Sequence, residues 1–165
     1  MTTSLFGRAV GAVLIAASLL LASATGSRAA SKDTPDVVMK TCTQAAAQIN
    51  NQLNDLRQQA GKATPQARAE FDSQISGLGK LQLLIARLGR DRTFATQTLN
   101  LSRKIDKLGL AKLWGNDVSG GAFEVRDIKD WYVYAIVKVD GYLYEVCLGE
   151  GCKGAPITMI GKATK

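Results

Sequence analysis

The hydrophobic residues of this chain change period once, and that change decides what the chain can fold into. From Met39 to Leu108 they recur every three or four positions, the spacing of one helix face. After Ser119-Gly120-Gly121 they crowd together as aromatic and β-branched types, the composition of strands. A run of helices followed by a run of strands is the pattern of an α+β fold. The expected architecture is an antiparallel two- or three-helix bundle over 34–109. A small three- or four-stranded antiparallel β-meander over 122–165 follows, packed on the helices as one compact unit.

Punctuation supports the helices. Thr34-Pro35-Asp36 reads as N-cap, first-position proline and first-turn acid. Met39, Cys42, Ala46, Ile49, Leu53, Leu56 and Ala60 then make one stripe, with Gly61 as a natural stop. The remainder of this helix is rich in amides, among them Gln48, Gln52 and Gln59. Thr64-Pro65 opens a second helix, where Phe71, Ile75, Leu78, Gln82, Ile85 and Leu88 form a stripe widened by Leu81 and Leu84 and closed at Gly89. Gly77 and Gly79 each cost about 1 kcal/mol relative to alanine, so this helix is expected to bend there or to pack very closely. A third helix is expected from Asp91 to Leu108, with Phe94, Thr98, Leu101, Ile105 and Leu108 facing inward and Gly109 as its stop. Short links favour antiparallel neighbours. The first stripe, about three heptads with two alanines, suits a core face within one chain; the coiled-coil seam of a homodimer is the alternative.

In the second half, Ala122 to Ile128 is a candidate first strand and Trp131 to Val139 the strongest one. Asp140-Gly141 is a preferred two-residue hairpin turn, and Tyr142 to Leu148 returns from it. That turn predicts the opposing pairs Val139–Tyr142, Val137–Tyr144, Ala135–Val146 and Val133–Leu148. One face is then apolar from end to end and must be covered. The other carries Tyr132, Tyr134, Ile136, Lys138, Leu143, Glu145 and Cys147. Ile157 to Ile160 is a candidate edge strand, with Pro156 at its start.

The leader bears on compartment. Arg8 is the only charged side chain before an apolar run from Ala12 to Leu21, and Ala22-Ser23-Ala24 supplies a small-x-small site. This order is that of a secretory signal peptide over 1–24, shorter than a membrane span, with a polar linker over 25–33. Cleavage is expected after Ala24, with Ala29 and Ala30 as secondary sites. It leaves about 140 residues, enough chain for one domain with a core. The expected location is the bacterial periplasm or outside the cell. In that compartment nearby cysteines pair. Cys147 and Cys152 enclose only four residues and are the expected disulfide, which leaves Cys42 as a free thiol or a point of intermolecular linkage.

Several chemistries are excluded or disfavoured. The chain contains no histidine, which removes His-based acid–base catalysis, Ser-His and Cys-His pairs and most zinc sites. No metal or cofactor is expected. Gly149-Glu150-Gly151-Cys152-Lys153-Gly154 matches the dinucleotide fingerprint formally, yet Pro156 and a strand-like run follow where a helix should open. The acids Glu124, Asp127, Asp130 and Glu145 could serve a cell-wall hydrolase, but alternating charges on a wet sheet face produce the same set and are the favoured reading.

Charge supplies a different candidate. The net charge is +7, and the excess is concentrated between Lys80 and Lys112, where only Asp91 and Asp106 oppose eight cations. Arg87, Arg90, Arg92, Arg103, Lys104 and Lys107 are the candidate anion-binding residues. Trp131, Tyr132 and Tyr134 offer rigid amphipathic area for protein binding. The leading expectation is an exported, non-enzymatic binding or assembly protein that recognises a partner protein, of inhibitor or immunity type or as a subunit of an envelope machine. The second is a binder of anionic envelope lipid or polysaccharide. Nucleic acid is disfavoured by the compartment.

Overall fold

The computed structural model describes residues 33–118, 123–129 and 133–164. The expected leader, most of the linker, and Asp130, Trp131 and Tyr132 lie outside the described residues. The architecture is α+β as expected. Helices α1 (Pro35–Lys62), α2 (Pro65–Arg90), α3 (Arg92–Arg103) and α4 (Lys107–Gly115) precede strands β1 (Glu124–Lys129), β2 (Tyr134–Val139), β3 (Tyr142–Cys147) and β4 (Ile157–Lys162). The strands form one antiparallel sheet in the order β1-β2-β3-β4.

Both predicted Thr-Pro caps are in place. The Thr34 hydroxyl accepts from the Val37 N–H at 3.3 Å and the Thr64 hydroxyl from that of Ala67 at 3.4 Å, which satisfies donors that a helix start leaves orphaned. α1 and α2 lie antiparallel, since Gly89 sits against Thr43 while Asn50 accepts a hydrogen bond from Gln82. The stripes therefore pack within the chain. On α1 the buried line is Val38, Cys42, Ala45, Ile49, Leu53 and Ala60, rotated slightly from the expected one, so that Met39, Ala46 and Leu56 are half-buried at its margin.

The third helix differs from expectation. It ends at Arg103, and α4 follows after a sharp corner. The Ile105 N–H bonds the Ser102 carbonyl at 3.0 Å and the Asp106 N–H bonds that of Leu101 at 3.0 Å, the paired bonds of a Schellman ending. The left-handed position of that motif falls on Ile105, with φ 54. Asp106 then caps α4 by accepting from the Gly109 N–H at 2.8 Å. Gly109 is thus inside a helix rather than a stop, the helical part runs on to Gly115, and Ile105 and Leu108 face solvent at 47% and 79% exposure. The corner turns α4 back, so that Trp114 is fully buried with its indole N–H on the Thr98 hydroxyl at 2.9 Å. A straight helix would carry Trp114 away from that partner.

The hairpin register is the predicted one. Val139 pairs with Tyr142, Val137 with Tyr144 and Ala135 with Val146, and the Leu148 N–H bonds the Val133 carbonyl at 2.8 Å. All eight side chains are buried. A bulge at Arg126 in β1 lets Val125 and Ile128 both face this layer, opposite Val137 and Ala135. One contiguous core joins the helices to this sheet face. Helix and sheet approach closely at Gly77, where an added Cβ would lie 2.7 Å from the Tyr144 hydroxyl, which itself donates to the Gln74 carbonyl at 3.2 Å. Gly79 has nothing within 4 Å.

These two glycines should respond oppositely to alanine. Gly79→Ala should gain about 0.5–1 kcal/mol from helix propensity alone. Gly77→Ala should lose about 1–3 kcal/mol, because it overpacks a buried ring. Tyr144→Phe, which removes the hydroxyl, should recover part of that loss. Urea unfolding of the three variants and of the Gly77→Ala/Tyr144→Phe pair provides the check.

Candidate functional site

The predicted basic patch is divided among several structural roles. Arg87 donates to both Asp117 carboxylate oxygens at 2.8 and 2.9 Å, lies 3.6 Å from Asp91 and stacks 4.1 Å from the centroid of Phe94. The Asp117 hydrogen bond raises its already high pKa. Arg92 pairs with Asp36, joining the starts of α3 and α1. Arg103 donates to the Asp33 carbonyl at 2.7 Å, and Lys107 donates to the Arg126 carbonyl, freed by the bulge, at 2.9 Å. Arg90 and Lys104 are exposed. Four of the six cations are thus engaged within the fold, Arg87 and Arg92 by carboxylates and Arg103 and Lys107 by main-chain carbonyls. Lys104 and Lys107 stand at the α3–α4 corner, while Arg87 and Arg92 are held by carboxylates at the α2–α3 junction.

Among the described residues, the open sheet face is a set of polar pairs around two aliphatic side chains. The Tyr134 hydroxyl meets Glu145 Oε2 at 3.1 Å, and Lys129 Nζ stands 5.3 Å from the centre of the Tyr134 ring. Glu124 binds Lys138 at 3.3 Å and Arg126 at 2.8 Å. Half-buried Ile136 and Leu143 lie between these pairs. The carboxylates considered for hydrolysis, Glu124 and Glu145, each have a partner here.

The cysteines occupy two environments. The sulfurs of Cys147 and Cys152 are 2.01 Å apart, at disulfide distance. Their loop holds the formal dinucleotide motif as the link between two strands and is tied to the start of α1 by the Glu150 N–H on Asp33 Oδ1 at 2.8 Å. Cys42 is a free, fully buried thiol on α1, and burial pushes its pKa from 9.0 up to about 12.

A further feature was not anticipated from the sequence. Between α1, α2 and β4 lies a cavity of about 240 Å³. Its walls carry the amides Gln52, Gln59 and Gln74 and the carboxylate of Asp55, and its floor Leu56, Leu78 and Tyr144. Met159 of β4 forms the outer lip, and Met159 and Ile160 are 44% and 48% exposed. Gln52 Nε2 donates to the Ile157 carbonyl at 3.4 Å, so the main-chain groups of Ile157 face away from β3. Those of Met159, two residues on, share that orientation. The amide-rich face of α1 was visible in the sequence. Its juxtaposition with a sheet edge depends on tertiary packing.

Compared with known proteins, the chain matches no protein family, and no curated protein or solved structure aligns with it significantly. Among the described residues, no helix is long and apolar enough to cross a membrane.

The buried thiol predicts an alkaline limit to stability. Between pH 9.0 and about 12 the unfolded chain releases the Cys42 proton while the folded chain keeps it. This contribution is intact below pH 9 and is lost as pH rises through that window, on the order of a few kcal/mol by its upper end. Tyr144, also raised by burial, acts in the same direction. Urea midpoints at pH 8 and 10.5 should therefore differ less for Cys42→Ala than for the parent; an equal drop in both would show that the thiol ionises as freely in the fold as outside it.

Proposed function

We propose that this is an exported, non-enzymatic binding protein that holds an extended segment of a partner protein along β4. The observation that carries this reading is the outward-facing main chain and exposed side chain of Met159 beside the groove, between the Gln52 contact to the Ile157 carbonyl on one side and the β3–β4 bulge on the other. Edge strands present unpaired main-chain groups, and proteins normally guard them with charge, proline or a covering element. Here the exposed stretch of β4 is Thr158-Met159-Ile160, which carries no charge, with Pro156 before the strand and Lys162 at its far end. An added strand would take main-chain hydrogen bonds from Met159, while alternate side chains enter the groove floor. The flanking glutamines both donate and accept, which suits a polypeptide backbone, and Asp55 adds one negative charge to the same wall. Inhibitor or immunity-type proteins and subunits of envelope machines are the forms of such a binder that fit an exported chain.

A photoreactive residue at Ile160 tests this in living cells, with the same residue at Leu83, 61% exposed on α2, as control. A discrete protein adduct from position 160 and none from 83 is expected. Met159→Lys should lower the adduct about tenfold, by removing one buried side chain and placing a charge on the edge. Equal adducts from both positions, or an adduct indifferent to Met159→Lys, would sink the reading.

A further inference from the structure

The α3–α4 corner carries a second surface of different chemistry. Ile105 and Leu108 project from it with 47% and 79% of their area in solvent, and Leu108 is the most exposed large apolar side chain among the described residues. The flanking Lys104, Lys107 and Lys112 are all exposed, and Asp106 is the only acid in the 104–112 segment. Asp106 is turned to the backbone as the cap of α4, and Lys107 donates to a neutral carbonyl, which leaves its charge uncancelled. Behind the corner, half-buried Leu101 and Leu113 line a shallow cleft with Lys112 at its rim.

The backbone makes the arrangement unusual. Ile105 occupies the left-handed end of a Schellman motif, with φ 54, where glycine or asparagine is the ordinary occupant. A β-branched residue there is strained, and its side chain is half in water, so burial does not explain its presence. Two exposed aliphatic tips set among lysines match the interface of an anionic bilayer. The tips reach the acyl boundary, and the flexible lysines snorkel to the phosphates.

From this geometry we infer that the α3–α4 corner docks the protein on an anionic lipid surface, with Ile105 and Leu108 inserted and Lys104, Lys107 and Lys112 on the headgroups. Arg87 and Arg92 are not part of this surface, since carboxylates hold them elsewhere. The contact is independent of the β4 groove and stands or falls without it.

Vesicle sedimentation tests the inference, using the secreted protein with phosphatidylcholine vesicles containing or lacking 30% phosphatidylglycerol. Any contribution of the segment that precedes Asp33 in the secreted protein is common to all variants. The parent should bind the anionic vesicles at least tenfold more tightly and release them as salt rises. Leu108→Ser should weaken binding about tenfold at low salt, and Lys104→Glu with Lys112→Glu should weaken it at least as much. Ile105→Asn separates this role from a structural one. Asparagine tolerates the left-handed backbone, so thermal stability should hold or rise while vesicle binding falls. Three results would overturn the inference. The first is no preference for anionic vesicles. The second is binding unchanged by Leu108→Ser and Ile105→Asn, which would indicate a purely electrostatic polyanion site. The third is equal affinity for a soluble acidic polysaccharide.

Discussion

The two-residue turn at Asp140-Gly141 holds the rest of the molecule in place. Its φ angles of 50 and 82 give the turn the twist that two antiparallel strands require. A slip of one residue would move Val137, Val139, Tyr142, Tyr144 and Val146 from the helix layer to water, because side chains alternate with period two. The turn is also fixed to the helices. Lys80 on α2 binds both Asp140 oxygens at 2.7 and 2.8 Å, and one strand step further the Tyr144 ring lies on Gly77. Register, sheet orientation and the spacing between α2 and β3 are thus set within a few residues of one another. The β4 groove inherits its width from this contact, since Tyr144 forms part of its floor.

A second constraint shapes the opposite end. Trp114 is the largest fully buried side chain in the described structure, and its indole N–H needs a partner inside. Thr98 supplies it only if the chain reverses between α3 and α4. The reversal uses a glycine-type conformation without a glycine, at a cost of about 1–3 kcal/mol for a residue such as Ile105. The same corner brings Lys107 to the Arg126 carbonyl, where the β1 bulge would otherwise leave an acceptor bare. Burial of one indole accounts for the corner and for the exposure of Leu108. It does not account for isoleucine at the strained position.

Much of the architecture was legible because it rests on local rules. Two Thr-Pro caps, a DG turn and a change of hydrophobic period depend on neighbours within about four residues, and each recurs in the structure. The corner at Lys104–Asp106 was not legible for a specific reason. Leu101, Ile105 and Leu108 continue the helical spacing, so the pattern masks the break, and only the Asp106 cap offered a local hint. The basic patch was legible only in part, because linear proximity of charges says nothing of their partners. Asp36 and Asp117, which take up Arg92 and Arg87, are 56 and 30 residues away in sequence. The groove beside β4 was invisible because α1, α2 and the last strand meet there only after the sheet has docked. Trp131 and Tyr132, two of the three expected aromatic contacts, lie outside the described residues.

The two proposed surfaces are placed so that neither obstructs the other. Arg103 and Arg92 tie the α3 end of the molecule to Asp33 and Asp36, at the first turn of α1. The groove lies against α1 from Gln52 to Gln59. About twenty helical residues separate these points, and at 1.5 Å per residue that is about 30 Å. Along α1 the groove therefore lies about three Debye lengths, at physiological salt, from the end of the molecule to which α3 is tied. At that separation the anionic surface would exert little pull on the groove, so the groove's own apolar, amide and Asp55 groups would select its occupant. The α1–α2 hairpin, whose buried line runs from Val38 to Ala60 on α1, would act as the spacer between the two surfaces.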